Sequence, residues 1–165
     1  MSGTSKTGTK TLETVTQKQQ ERRSGTSQMV ENLLSERQDV LVCYCRLAGL
    51  EPYSPDKPVK KLLEEFCQLL IDYTAFGHFE LYERIAQGGE RRDGVAEVAG
   101  RVYPRIAEIS EQTVAFNDKY DANAHSLELA HLSGDLSQLG ECMAERMELE
   151  DRLIEALLQD IDDKA

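Results

Sequence analysis

Carboxylates, one histidine and several aromatic side chains alternate in residues 72–83, which read DYTAFGHFELYE. The ionisable members are Asp72, His78, Glu80 and Glu83, and one glycine lies among them. Carboxylates and histidines ligate metals and exchange protons, whereas an aromatic ringed by carboxylates is typical of a protein-docking surface. Three kinds of site are therefore open: a metal centre, an acid–base site and a surface that binds another protein.

The histidine count limits the metal interpretation. A ferritin-like di-iron site in a helical bundle uses two Glu-x-x-His pairs and two further glutamates. The chain has three histidines, His78, His125 and His131, and one such pair, formed by Glu128 and His131. A histidine-rich iron centre is excluded by this count and a ferritin-like one is incomplete. A degenerate carboxylate–histidine site remains as an alternative.

A second concentration of carboxylates lies in residues 145–153, ERMELEDRL. Glu150 falls on the apolar helical face between Met147 and Ile154, where a carboxylate costs free energy unless it is paired. It therefore lies at the edge of the bundle or forms a polar tie between helices. Its candidate partners are His78, Arg146 and Tyr82.

Acid–base catalysis by Glu83 and Glu150 is conceivable in chemical terms. However, no nucleophile, phosphate-binding glycine loop or cofactor motif accompanies these two carboxylates. The sequence thus predicts a protein that is not an enzyme and that uses no cofactor.

Helical spacing of apolar residues runs through the chain from about residue 27. The predicted helices cover about residues 27–48, 59–76, 78–87, 94–103, 104–120 and 126 onward. Gly77 is predicted to cap or kink the second helix, and Pro104 to begin a new one. Because no alternating β-type run is present, the sequence predicts an all-α, up-and-down bundle of about five to six helices with a four-helix core.

The first 26 residues are rich in Ser, Thr, Gly, Lys and Gln and have almost no apolar side chains. This composition predicts a disordered tail, followed by a single helical-bundle domain over residues 27–165. The chain carries a net charge of −11. Because the tail holds five basic and two acidic residues, the remainder carries −14. Such a body repels nucleic-acid phosphates and attracts a basic protein partner.

Neither a long apolar span nor a secretory signal is visible, which predicts a cytoplasmic protein without membrane contact. The four cysteines are then reduced and serve as small apolar side chains. Cys43 and Cys45 cannot chelate a metal together, because residues two apart on a helix point in nearly opposite directions.

The stretch FCQLLIDYTAFGHFELYERI, residues 66–85, closely resembles the FCQ…DY…GHF…YE signature of the Rsd/AlgQ family, the anti-sigma regulators of RNA polymerase. Three further stretches agree with the family in order and spacing. They are residues 30–52, 102–106 and 139–158. The resemblance covers about residues 27–161 and leaves the tail unmatched.

The resemblance implies an all-α cytoplasmic protein that binds the primary (housekeeping) sigma factor through its −35-binding region 4. Binding would sequester sigma from core polymerase and promoter DNA and favour alternative sigma factors in stationary phase. The residues that match the family's sigma-facing segment are Asp72, Tyr73, His78 and Phe79, with Tyr82 and Glu83 beside them. A second shared pattern matches Arg146, Glu150 and Asp151, to which we assign a structural polar tie.

The chain departs from the family pattern at three places. It has Glu31-Asn32-Leu33-Leu34 in place of Asp-Arg-Trp-Leu, Met147 in place of a usual Phe, and Phe76 in place of a small residue. These departures concern the interface more than the fold. The leading hypothesis is an anti-sigma factor, and the alternatives are a helical-bundle metal or redox protein and a general cytosolic adaptor. The oligomeric state is left open.

Overall fold

The computed structural model describes residues 6–83, 85, 93–121 and 129–163, and these residues form four long helices. They are α1 (Lys6–Ala48), α2 (Val59–Phe76), α3 (Asp93–Tyr120) and α4 (Leu132–Asp163). A six-residue π-helix, Gly77–Tyr82, continues α2 directly. α1 packs on α2 and α4, and α3 also packs on both, so the four helices close a ring around one core. The described ranges contain no strand, and the predicted all-α bundle is confirmed.

Each helix contributes one apolar face to this core. Fully or almost fully buried side chains include Leu33, Val40, Leu62, Phe66, Leu70, Ile106, Ile109, Leu139, Met143, Leu153 and Leu157. Burying one such side chain stabilises the folded state by about 1.5–3 kcal/mol. The apolar periodicity that the sequence displays is therefore the pattern that assembles the bundle.

α3 is one helix, so the predicted break at Pro104 is wrong. A proline inside a helix removes the hydrogen bond to the carbonyl four residues earlier, which here belongs to Gly100. Both Pro104 and Gly100 lie on the exposed side of α3. Water can therefore bond the freed carbonyl, and the apolar face of the helix continues past the proline.

The structure also differs from the predicted disordered tail, because α1 already begins at Lys6. Residues 6–26 contain no proline and are rich in Lys, Gln, Glu and Arg, which are good helix formers. Once a packed helix exists, each added residue contributes one hydrogen bond without a new nucleation cost. The side chains of residues 13–18 are exposed, and Thr26 is the first buried side chain among those described.

α1 and α4 approach each other closely at Gly140. The Tyr44 hydroxyl donates a hydrogen bond to the Leu136 carbonyl at 2.8 Å, and a Cβ at Gly140 would collide with that hydroxyl. A glycine is thus required where the tyrosine crosses α4. None of the described helices has the length and apolar composition needed to cross a membrane. Residue 84, residues 86–92 and residues 122–128, which include parts of two predicted helices, lie outside the described residues.

Candidate protein-docking site

The segment 72–83 forms the last turn of α2 and the π-helix that follows it. Gly77 keeps right-handed helical angles (φ −58°, ψ −43°), and its N–H bonds to the carbonyls of Tyr73 and Thr74. The α-helix α2 therefore ends at this glycine, as predicted, but the chain stays helical beyond it. What changes is the hydrogen bonding, which closes between residues five apart in a π-helix instead of four.

One face of the segment lies against the core. Gly77 and Leu81 are buried within it, and Ile85 is buried four residues later. Residues at this spacing lie on one side of a helix, so they form the inner face of the segment. His78 and Phe79 occupy exposed positions between them.

Four of the predicted partner-binding residues are exposed and form what we call the docking surface: Asp72, His78, Phe79 and Glu83. Phe79 is 58% exposed, more than any other large apolar side chain described. Its ring stands edge-to-face against His78, with centroids 5.0 Å apart. Asp72 precedes Phe79 by seven residues and Glu83 follows it by four, so exposed carboxylates lie on both sides of the aromatic along the chain. The docking surface is therefore an exposed aromatic flanked by carboxylates.

The other two predicted partner-binding residues lie elsewhere. Tyr73 is 1% exposed and belongs to the core, where it continues the apolar series of α2. Tyr82 is half-buried, and its ring packs edge-to-face on Tyr103 at 5.0 Å. The Tyr103 hydroxyl donates to the Tyr82 carbonyl at 3.4 Å. Tyr73 is thus corrected from a partner contact to a core residue, because a side chain covered by its own bundle cannot meet a partner docked on the surface.

A fully buried carboxylate, that of Glu150, lies beneath this surface. It accepts hydrogen bonds from Arg146 Nε at 2.9 Å, from Arg37 Nη2 at 3.2 Å and from the Tyr73 hydroxyl. We call these four residues the Glu150 network. Arg37 also donates to the exposed Asp151 at 2.6 Å. Of the three partners predicted for Glu150, the structure pairs it with Arg146 and adds Arg37 and Tyr73.

The Glu150 network connects all four helices. Arg146 Nη1 donates to the Ser110 hydroxyl on α3 at 2.9 Å, and its guanidinium lies 5.6 Å from the centre of the Tyr73 ring on α2. Arg37 belongs to α1, and Glu150 belongs to α4. Burial opposes the charge of Arg146, but the Glu150 carboxylate, with smaller contributions from Tyr82 and Tyr73, raises the pKa of the guanidinium above its ordinary value. Burial and then Glu150 raise the pKa of Tyr73, so its hydroxyl stays a neutral donor.

Gly77 brings the π-helix into contact with this network. A Cβ on Gly77 would lie 3.3 Å from Arg146 Nη2 and 3.6 Å from Glu150 Oε1. Two buried polar atoms here, Arg146 Nη2 and the Tyr82 hydroxyl oxygen, have no hydrogen-bond partner among the described residues. Burial and the nearby Glu150 carboxylate raise the pKa of Tyr82, which keeps this hydroxyl protonated as well. Gly77 thus lies against the buried polar group, and the charge of the same group acts on Tyr82 at the end of the π-helix.

A model of the family described as regulator of RNA polymerase sigma(70) subunit, Rsd/AlgQ, matches residues 12–158. The chain belongs to the Rsd/AlgQ family. The match begins inside the segment 1–26 that the motif resemblance leaves unmatched. The predicted family membership is confirmed, and with it a role in regulating the sigma-70 subunit of RNA polymerase.

Individual relatives agree with the family match. The chain is 32% identical over 148 residues to a protein named "Regulator of sigma D" from Yersinia enterocolitica, covering 87% of this chain and 86% of the relative. It is 34% identical over 137 residues to a protein of the same name from an Enterobacter species, covering 81% and 82%. The similarity therefore extends over nearly the whole length of these Rsd/AlgQ relatives.

The alternative of a metal site finds no geometric support in the described part of the chain. No three His, Cys, Asp or Glu side chains converge there as metal ligands would. His78 and His131 are both exposed. Glu128 and His125 lie outside the described residues, so the Glu128–His131 pair has no described geometry.

In this member of the Rsd/AlgQ family, neither Arg37 as a partner of Glu150 nor Ser110 as a partner of Arg146 was predicted from the sequence. A signal for Arg37 was present, because it interrupts the apolar face of α1 with a charge, as Arg146 and Glu150 do on α4. A charge on a core-facing position demands a partner. Ser110 gives no such signal, because a hydroxyl in a helix also bonds its own backbone, as Ser110 does to the Ile106 carbonyl at 2.9 Å.

Proposed function

We propose that this protein is an anti-sigma factor that binds region 4 of the housekeeping sigma factor through the docking surface. Binding there would hold sigma away from core polymerase and from −35 promoter DNA, favouring alternative sigma factors in stationary phase in the cytoplasm. The family match supports a sigma-70 regulator. The observation that carries the proposed site is the 58% exposure of Phe79 among flanking carboxylates.

The chemistry of this surface fits a sigma DNA-binding domain. Region 4 meets promoter phosphates and is therefore basic, whereas Asp72, Glu80 and Glu83 are exposed acids around Phe79. Opposite charges steer two such surfaces together, and an aromatic that becomes buried at the centre supplies binding energy. Occupying region 4 blocks promoter recognition stoichiometrically, so the mechanism needs neither a cofactor nor a reaction, nor contact with nucleic acid.

The decisive experiment is Phe79→Ala, measured by titration calorimetry against full-length sigma and against an isolated region-4 fragment. We expect binding to weaken by about 2 kcal/mol or more, because an anchor side chain is lost. Thermal unfolding should hardly change, since Phe79 is exposed. The matched control is Val59→Ala, an exposed apolar side chain at the opposite end of α2, about 30 Å away.

The outcomes separate the function from the site. Wild-type protein that fails to bind sigma at low salt would contradict the proposed function. Wild-type binding to sigma that is unaffected by Phe79→Ala would move the interface elsewhere on the bundle. Binding to full-length sigma but not to the fragment would contradict region 4 as the contact.

A further inference from the structure

The π-helix is the least regular helical element of the described chain, and it carries the centre of the docking surface. A π-helix is rarely stable by itself, and when it occurs it frequently marks a functional site. Its exposed residues His78 and Phe79 contact each other, and His78 also stands edge-to-face against the half-buried Tyr82. Their positions are therefore set by whatever holds the inner face of Gly77–Tyr82.

Two kinds of contact hold that inner face. Leu81 is completely buried and anchors the segment through apolar packing. Gly77 lies against the Glu150 carboxylate and Arg146, and Tyr73, one turn earlier, donates a hydrogen bond to the same carboxylate. The polar group thus contacts the chain before the π-helix and at its first residue.

The alternative conformation of this segment is a regular α-helix. Replacing hydrogen bonds between residues five apart by bonds between residues four apart would shift the following chain by about one residue, or roughly 100° around the axis. That shift would turn Tyr82 away from Glu150 and would carry Phe79 around the helix. The buried network contacts the segment in its π-helical form.

We propose that the Glu150 network is a positioning device for sigma binding: Arg146 and Glu150, through Gly77, hold Gly77–Tyr82 in the π-helical form that presents His78 and Phe79. Arg146 and Glu150 are buried and therefore cannot contact sigma directly, so they act on sigma binding through the docking surface. The sigma-binding part of this inference rests on the proposed function, whereas the conformational part concerns the protein alone.

The test is Gly77→Ala in the full-length protein. The new methyl group lies inside the bundle, leaves the docking surface chemically unchanged and crowds Arg146 Nη2. We expect sigma affinity to fall by about tenfold or more and amide hydrogen exchange in residues 77–83 to accelerate by a similar factor. The matched control is Gly100→Ala, where an added Cβ meets nothing within 4 Å. The control should change neither quantity.

A second variant, Glu150→Gln, removes the charge and keeps the shape, so it tests the network if Gly77→Ala fails to fold. Its control is Glu145→Gln, a carboxylate on the same helix that pairs with Arg105 outside the network. We expect the same faster exchange confined to residues 77–83 and the same loss of sigma affinity. Thermal unfolding, followed in parallel, confirms that both measurements are made on folded protein.

The two readouts distinguish failure of this inference from failure of the proposed function. Faster exchange in protein that never binds sigma would contradict the proposed function and leave the conformational role intact. A loss of sigma binding in Phe79→Ala, but wild-type exchange and affinity in Gly77→Ala and Glu150→Gln, would overturn the positioning role alone. Faster exchange with unchanged affinity would show that sigma does not depend on the π-helical form, which also overturns it.

Discussion

Two clusters in this bundle each combine a tyrosine hydroxyl, a carboxylate and basic side chains, but one cluster is buried and the other is exposed to water. In the Glu150 network, the Tyr73 hydroxyl donates to a carboxylate that is 0% exposed and paired with guanidinium groups. In what we call the Asp135 cluster, Tyr120 donates to a carboxylate whose side chain is 29% exposed and pairs with Lys119 at 2.7 Å. Both clusters join helices, but only the first lies inside the core.

The difference in exposure sets what each cluster can do. Water competes for every bond of the Asp135 cluster and salt screens its ion pair, so breaking it costs little. In the Glu150 network, removing Glu150 leaves the guanidinium of Arg146, whose side chain is 2% exposed, charged and cut off from water. The buried cluster is therefore suited to fixing one arrangement of the four helices, and the exposed cluster adds little more than local support.

The largest expected effect is the difference in stability lost when the Glu150 or the Asp135 carboxylate is removed. Glu150→Ala should lower the free energy of unfolding by about 3–5 kcal/mol, because the buried guanidinium of Arg146 loses the carboxylate that balances its burial, whereas Arg37 keeps Asp151. Asp135→Ala should lower it by about 1 kcal/mol at most. Urea denaturation followed by circular dichroism measures both. Equal losses of unfolding free energy would contradict the prediction that the buried cluster stabilises the bundle more than the exposed one.

A smaller effect should follow from removing each tyrosine hydroxyl. Tyr73→Phe leaves the buried carboxylate one donor short and should cost about 1–2 kcal/mol. Tyr120→Phe should cost about 0.5 kcal/mol, because water can reach Asp135 and replace the donor. The same denaturation experiment compares them. A larger loss of unfolding free energy for Tyr120→Phe would contradict the prediction that the hydroxyl in the buried cluster contributes more to stability.

The smallest expected effect is a pH dependence specific to the Asp135 cluster. Hydrogen bonds from Lys119 and then from Tyr120 lower the pKa of Asp135 below its ordinary value. A carboxylate whose folded pKa is lowered contributes stability above its ordinary pKa of about 3.9, and that contribution disappears as the pH falls through the folded value. Wild-type protein and Asp135→Asn should therefore differ slightly in thermal midpoint at neutral pH and converge in acid. A gap that widened in acid would contradict the lowered pKa.

Much of the architecture could be predicted from single residues and their spacing. The apolar series of α2 and α4 predicts their core faces, and the charges at Arg146 and Glu150 on such a face indicate a buried tie. The helix break predicted at Pro104 was wrong. The prediction treats the hydrogen bond lost at a proline as the end of the helix, whereas an exposed carbonyl can bond water instead. Tyr73 was misjudged as a partner contact because a motif match does not say which side of a helix meets solvent.

The sequence by itself determined the all-α class, the family and the candidate anchor Phe79, because these depend on helical periodicity and local motifs. Only the tertiary structure decided that Arg37 reaches Glu150 across 113 residues of chain and that α2 continues through Gly77 as a π-helix. Periodicity records which face of a helix is buried, but not which side chains on other helices it will meet. The partners of a buried charge, and the backbone form that they stabilise, are fixed when the four helices pack together.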